Sequence, residues 1–316
     1  FPYLAAKYGG GIFLLVYIIL ALTFGYTLIM AETSLGRMTR KSPVGAFGNF
    51  GKSRFISLGG WINAIIPILI VPYYSVIGGW VIKYLIEYFS GHSKALAGDT
   101  YFTSFISNGI STEICFLIFT LFTLGIIYAG VRNGIERVSK FMMPILIVLS
   151  LIIAVYSVTR PGAIEGVKYF LVPNFEHFSW MTVVSAMGQM FYSLSIAMGI
   201  LITFGSYMKR DTSIEKSTEN VEIFDTAIAI MAGLMIIPAV FAFSGGNAET
   251  LKSGPALMFI TIPKVFANMG FGTAIGVVFF LLVLFAAVTS SIALTESAVS
   301  TFEDELHWSR KKSTVF

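Results

Sequence analysis

Seven stretches of the chain are apolar over lengths close to 20 residues. They run roughly 11–32, 57–89, 112–129, 141–158, 180–205, 222–244 and 273–299. A helix rises about 1.5 Å per residue, so about 20 residues cross a hydrocarbon core about 30 Å thick. Apolar and polar residues do not alternate in segments of about ten, the signature of a membrane barrel, so the pattern predicts helices. Pro67, Pro72, Gly199 and Pro238 fall inside the runs. Lipid tolerates them because neighbouring helices can satisfy the backbone groups they free. No Gly/Ser-rich or Pro-rich linker divides the chain and no internal repeat stands out, so residues 1–316 read as one membrane domain.

Composition strengthens this reading. The chain is 56% hydrophobic and 12% charged, with mean hydropathy +0.80, whereas soluble domains carry roughly 25% charged residues. Charge also sets an orientation. Arg37, Arg40, Lys41, Lys52, Arg54, Arg132, Arg137, Lys140, Lys209, Arg210, Lys216, Arg310, Lys311 and Lys312 fall in alternate connections. The remaining connections hold only Lys94, Arg160, Lys168, Lys252 and Lys264. Positive charge stays on the cytoplasmic side. Loops 36–54, 130–140 and 207–218 and the C-terminal end are therefore expected in the cytoplasm of a multi-pass protein of the cell (plasma) membrane. Connections 90–111 and 245–272 are expected outside. The second is amphipathic and predicts short helices packed over the outer vestibule. A net charge of +4 reflects this asymmetry, and no nucleic-acid partner is implied.

Cys115 is the one cysteine, which excludes an intrachain disulfide, and His92, His177 and His307 show no ligand spacing. The chain opens on "FPYLAAKYGGG" with no signal peptide and closes on the basic "EDELHWSRKKSTVF". Both ends read as cuts within a longer protein.

Polar groups inside the spans are the candidate chemistry, since each charge there costs about 2.5–3.5 kcal/mol on insertion scales. Glu32 is expected to pair with Arg37 or Arg40 at the cytoplasmic interface. Glu222 is expected near a helix start, where the dipole favours a carboxylate. Asp225 lies deeper, in "VEIFDTAIAIMAGLMIIPAVFAF", and asks for a function. In "LLVLFAAVTSSIALTES", Ala286, Thr289 and Ser290 stand at i, i+3 and i+4 and share a helix face. That face offers a carbonyl and two hydroxyls, hard ligands that suit Na⁺, although small hydroxyl residues also serve as glue between membrane helices. In "GQMFYSLSIAMGILITFGSY", Ser193, Ser195 and Gly199 mark a place where a helix can break and present free backbone to a ligand; a small-residue packing seam is the competing reading. In "WINAIIPILIVPYYSVIGGW", Tyr73 and Tyr74 follow Pro72, and a buried tyrosine hydroxyl needs a partner.

Taken in order, "FPYLAAKYGGGIFLLVYII", "ETSLGR", "PYY", "GIERVSKFMMP", "VPNFE", "GQMFYSLS", "FDT", "IPAVFAFSGG", "AAVTSSIA" and "FEDEL" resemble the sodium:neurotransmitter symporter family, the LeuT-type amino acid transporters of prokaryotes. The resemblance implies an all-α integral membrane protein with a LeuT-type inverted-repeat helical bundle. The chain would cover the second half of the first span through the eighth, about seven full spans plus part of the first. It further implies a second sodium site from the Ala286 carbonyl, Thr289 and Ser290, and a first from Ser193 and Asp225. Tyr74 matches the tyrosine that meets the substrate carboxylate, Tyr192 the aromatic lid, and Gln189 an outer-gate glutamine. Ile70, Ile77, Ser195, Met198, Ser291 and Leu294 would line the side-chain pocket. A mostly apolar pocket implies a neutral, hydrophobic or aromatic amino acid, since a charged substrate would bury an unpaired charge.

Two departures stand out. The unwound stretch that supplies ligands to both sodium ions and an outer-gate arginine would precede Phe1, and spans nine to twelve would follow Phe316. Ala197 stands where glycine is usual in the unwound stretch. The resemblance implies a sodium-coupled symporter working by alternating access, with lipid, sodium and a small amino acid as partners. A non-transporting sensor on the same scaffold is the alternative. An intramembrane enzyme using Asp225 would need a second carboxylate, for which only Glu296 offers itself, and the chain has no HExxH, nucleophile–base pair or P-loop. In the family the position of Asp225 commonly holds a neutral amide, and chloride supplies negative charge nearby. An aspartate is expected to supply that charge itself and to make transport chloride-independent.

Overall fold

A computed structural model describes residues 1–51, 53–245 and 254–316. Lys52, Lys252 and the second glycine of "IPAVFAFSGG" lie outside the described residues.

The chain begins with α1 (Pro2–Lys7), whose proline sits at the start, where a missing N–H costs nothing. The first full span is continuous over Gly11–Thr39. It comprises α2 (Gly11–Leu20), a π-helical turn over Ala21–Gly25, and α3 (Tyr26–Thr39). The next elements are α4 (Pro43–Gly48), α5 (Arg54–Phe89), α6 (Ser93–Leu96), α7 (Tyr101–Ser107) and α8 (Gly109–Tyr128). The side chain of Asn108 starts α8 by accepting from the Ser111 N–H at 3.1 Å. A second π-helical turn, Val131–Glu136, leads into α9 (Arg137–Val158), followed by α10 (Ala163–Leu171). Then come α11 (Trp180–Ser193), α12 (Ile200–Tyr207), α13 (Ile214–Ser244), α14 (Ile262–Ala267), α15 (Gly272–Leu306) and α16 (Arg310–Val315).

Among the described residues, six unbroken helical segments are long and apolar enough to cross a membrane. The seventh expected run, 180–205, is divided into α11 and α12. Helix boundaries extend past the apolar windows because the helix continues into polar interface residues. Val131–Val158 begins ten residues before the expected 141, across Arg132, Arg137 and Lys140. In 245–272 the described part is folded as expected, with Leu257, Phe259, Ile262, Val265 and Phe266 buried around α14.

Packing follows the small residues. α15 lies along α5, α13 along α9 and α10, α11 along α2, and α12 along α3. The α3–α12 crossing is close in backbone terms. A Cβ on Gly36 would stand 1.9 Å from the Ile202 carbonyl oxygen, and one on Gly205 2.4 Å from that of Thr33. Two glycines facing each other's helices permit this approach, the small-residue device of membrane interfaces. An aromatic cluster of Trp80, Tyr84, Phe102, Phe259 and Phe280 ties α5, α7 and α15 to the residues preceding α14.

Gly36→Ala should therefore force α3 and α12 apart. The expected cost is about 1–3 kcal/mol, read as a lower thermal unfolding midpoint of the full-length protein. An unchanged midpoint would contradict so close a crossing.

Candidate functional site

The break between α11 and α12 creates the site. α11 begins with a capping box, Ser179 with Thr182, and ends at Ser193. Ser195 (φ 57°), Ala197 (φ 60°) and Gly199 (φ 70°) then adopt left-handed backbone. For residues with a Cβ this conformation costs roughly 1–2 kcal/mol each, so something must hold it. The Ile196 N–H donates to the Phe191 carbonyl at 3.0 Å, and the Ala197 N–H donates to Glu32 Oε1 at 2.8 Å. At Gly199 a Cβ would stand 2.6 Å from Pro43 Cγ and 2.9 Å from the Asn63 carbonyl oxygen, so no larger residue fits there.

Glu32 therefore departs from the expected ion pair. Arg37 donates to the carbonyls of Arg210 and Thr212, and Arg40 to those of Ser206 (2.9 Å) and Met208. Helix periodicity gives the reason. At about 100° per residue, Arg37 points about 140° away from Glu32, and Arg40 lies about 12 Å further along the axis. Glu222 departs as well, because α13 begins at Ile214 and Glu222 is buried two turns inside it.

A central cavity of about 480 Å³ opens beside the break. Of the residues the sequence singles out, it brings together Ile70 and Tyr74 from α5, Gln189, Tyr192 and Ser193 from α11, and Ser195 and Met198 from the break. Asp225 from α13 and Thr289, Ser290 and Leu294 from α15 complete that set. Met143, Ile200 and Ala293 also line it, and nothing in their local sequence distinguished them from lipid-facing or core residues. Ile77 packs instead against the main hydrophobic cluster, and Ser291 is buried outside the lining.

The electrostatic centre is Asp225. Its Oδ2 accepts from the Tyr17 hydroxyl and its Oδ1 from the Ser193 hydroxyl, each at 2.8 Å. Among the described residues no Lys, Arg or His pairs with it. Two hydroxyl donors orient the carboxylate without bringing an opposite charge to it. Tyr17 was not expected here; a buried tyrosine in the first span is a weak signal that Asp225, 208 residues later, turns into a contact. Across the cavity, the Thr289 hydroxyl donates to the carbonyls of Phe285 (3.0 Å) and Ala286 (3.1 Å). Its proton thus points along the helix and its lone pairs remain for another group. The polar wall is built of hard oxygen donors, suited to an alkali cation and not to a soft metal.

Comparison with known proteins agrees with this geometry. Residues 1–97 and 87–316 match the sodium:neurotransmitter symporter family. Similar proteins include the uncharacterized sodium-dependent transporter YhdH of Bacillus subtilis, 35% identical over 315 residues, covering 99% of this chain and 69% of that protein. An uncharacterized sodium-dependent transporter of Haemophilus influenzae is 32% identical over 329 residues, covering 100% of this chain and 71% of that one. The crystal structure of MhsT in complex with L-phenylalanine matches with a TM-score of 0.89 and 34% identity, over 99% of this chain and 71% of that chain. The chain belongs to the sodium:neurotransmitter symporter family. It is a sodium-dependent membrane transporter with the LeuT-type helical fold, and not an enzyme.

Removing the Glu32 side chain should loosen the break. Glu32→Ala in the full-length protein leaves the Ala197 N–H unpaired, a loss of about 1–3 kcal/mol, so substrate affinity should fall about tenfold in equilibrium binding. Glu32→Gln, which keeps an acceptor, should bind more tightly than Glu32→Ala. Equal affinities for the two variants would show that Glu32 does not hold the break.

Proposed function

We propose that the protein is a symporter that couples the movement of a neutral, hydrophobic or aromatic amino acid to Na⁺ by alternating access. Residues 1–316 act in this reading as one transporter domain within a longer chain, set in the plasma membrane with loops 36–54, 130–140 and 207–218 in the cytoplasm. The observation that carries it is Asp225, a carboxylate with two hydroxyl donors and no basic partner among the described residues, on the wall of the central cavity.

An amino-acid zwitterion and a sodium ion together solve the problem that this charge poses. Ser193 and Asp225 contribute to a first sodium site, where the cation lies between the Asp225 carboxylate and the substrate carboxylate. The Ala286 carbonyl, Thr289 and Ser290 contribute to a second. Tyr74 donates its hydroxyl to the substrate carboxylate, Tyr192 covers the bound molecule, and Gln189 stands at the outer gate. The substrate side chain lies among Ile70, Met198 and Leu294, with Met143 and Ala293 completing an apolar surface. Ser195 borders it, and Ile77 and Ser291 support it from behind. A charged side chain there would have no counter-ion, which favours neutral substrates. The phenylalanine bound by MhsT is consistent with this chemistry.

Because a cation bound in one state only shifts the equilibrium by its differential affinity, sodium and substrate drive the change when both are held in the occluded cavity. Asp225 supplies a fixed negative charge beside sodium, so chloride is not required.

Asp225→Asn in the full-length protein should weaken sodium affinity about tenfold or make uptake chloride-dependent, measured as uptake against Na⁺ and Cl⁻ concentration in proteoliposomes. Unchanged dependence on both ions would sink the assignment. Leucine, phenylalanine, tyrosine or tryptophan should compete for uptake, and glutamate and lysine should not. The reverse pattern would overturn the substrate class.

A further inference from the structure

A second cavity, of about 370 Å³, lies where α3 ends and the chain passes from α12 to α13. Ser34, Arg37, Met38, Arg40, Arg210 and Ile214 line it. Half of these are arginines and none is acidic. Asp211 and Glu215 lie nearby in sequence, yet among the described residues no carboxylate oxygen comes within 4.0 Å of any of the three guanidinium groups.

The arginines are held by backbone. Arg37 donates to the carbonyls of Arg210 and Thr212, and Arg40 to those of Ser206 and Met208. These bonds close the end of α12 and fix the linker, but a carbonyl brings no charge to offset a guanidinium. Each guanidinium carries five N–H donors in a planar fork, more than those bonds use. Arg210 engages the network only through its carbonyl, which leaves its side chain to the cavity. Three guanidinium groups without a carboxylate partner thus border one concavity, two of them held by backbone carbonyls and the third, on exposed Arg210, free to turn toward it, an arrangement that an anion would offset. Planar forks match phosphate oxygens bidentately, in shorter and stronger bonds than neutral pairs make. Ser34 adds a hydroxyl donor, and exposed Met38 gives the rim an apolar lip.

We infer that this cavity binds a phosphate-bearing anion, either a phospholipid headgroup or a free phosphate compound. The central cavity differs in every respect that matters, with one fixed negative charge and an apolar side-chain pocket. The two sites would respond to different ligands.

The test uses the full-length transporter and its Arg210→Gln variant. That substitution removes one guanidinium while leaving the Arg37 and Arg40 bonds to backbone. Lys140→Gln, at a cytoplasmic lysine paired with Glu136, is the control for general surface charge. Native mass spectrometry after mixing with phosphatidylglycerol or phosphatidylcholine reads the lipid arm, and thermal shift with inorganic phosphate against chloride at equal ionic strength reads the free-anion arm. Preferential retention of phosphatidylglycerol, falling about fivefold in Arg210→Gln and unchanged in Lys140→Gln, supports a lipid headgroup; one basic residue near a membrane surface contributes roughly that much. A phosphate-specific shift lost in Arg210→Gln without lipid selectivity supports a free phosphate compound. Equal retention of both lipids with no phosphate effect overturns the inference. So does any anion effect that Arg210→Gln leaves intact.

Discussion

A helix that breaks inside a membrane must find partners for the backbone groups it releases, because lipid offers none. Here Glu32 supplies one of them. Its carboxylate receives the Ala197 N–H and holds a segment that carries two non-glycine residues in left-handed backbone. The site follows from that hold. With the break fixed, Ser193 ends α11 within reach of Asp225, Ser195 and Met198 turn toward the central cavity, and α12 restarts with its backbone against α3.

Much of this was legible in the chain. The seven apolar runs gave the spans, since hydrophobic length is a one-dimensional property. Ser193, Ser195 and Gly199 pointed to a break or to a packing seam, and the left-handed backbone at Ser195, Ala197 and Gly199 decides for the break. Helical spacing singled out Thr289 and Ser290, depth in an apolar span singled out Asp225, and the family resemblance added a role for Tyr74; all four line the central cavity. The failures have a common cause. Glu32 was assigned by proximity in sequence to Arg37 and Arg40, whereas its partner lies 165 residues away across a helix interface. Glu222 was placed by where apolarity begins, and the helix begins two turns earlier. Tyr17, Met143, Ile200 and Ala293 reach the site or its supports only through tertiary packing. A linear pattern records which face is apolar, and not which neighbour that face meets.

Asp225 is held by direction and not by charge. A carboxylate between a tyrosine and a serine hydroxyl is well oriented, and neither donor carries an opposite charge. Hydroxyl donors make a carboxylate specific in direction without neutralising it, which is why the proposed reading gives Asp225 a cation as its partner. The basic residues are kept elsewhere. Arg310 is committed to buried Glu296 through a two-nitrogen pairing at 2.6 and 3.0 Å, and Arg37 and Arg40 to backbone carbonyls.

The π-helical turn Ala21–Gly25 lies between α2 and α3 in an otherwise unbroken helix. α11 lies against the helix before that turn and α12 against the helix after it, while Gly25 faces Leu194 at the start of the break, 2.7 Å from where a Cβ would stand. The unbroken helix therefore works as a splint across the fracture. Each half of the broken span is bound to its own half of the same rod. The rod has its own soft joint level with the fracture, so bending there would carry both helices together as a paired hinge.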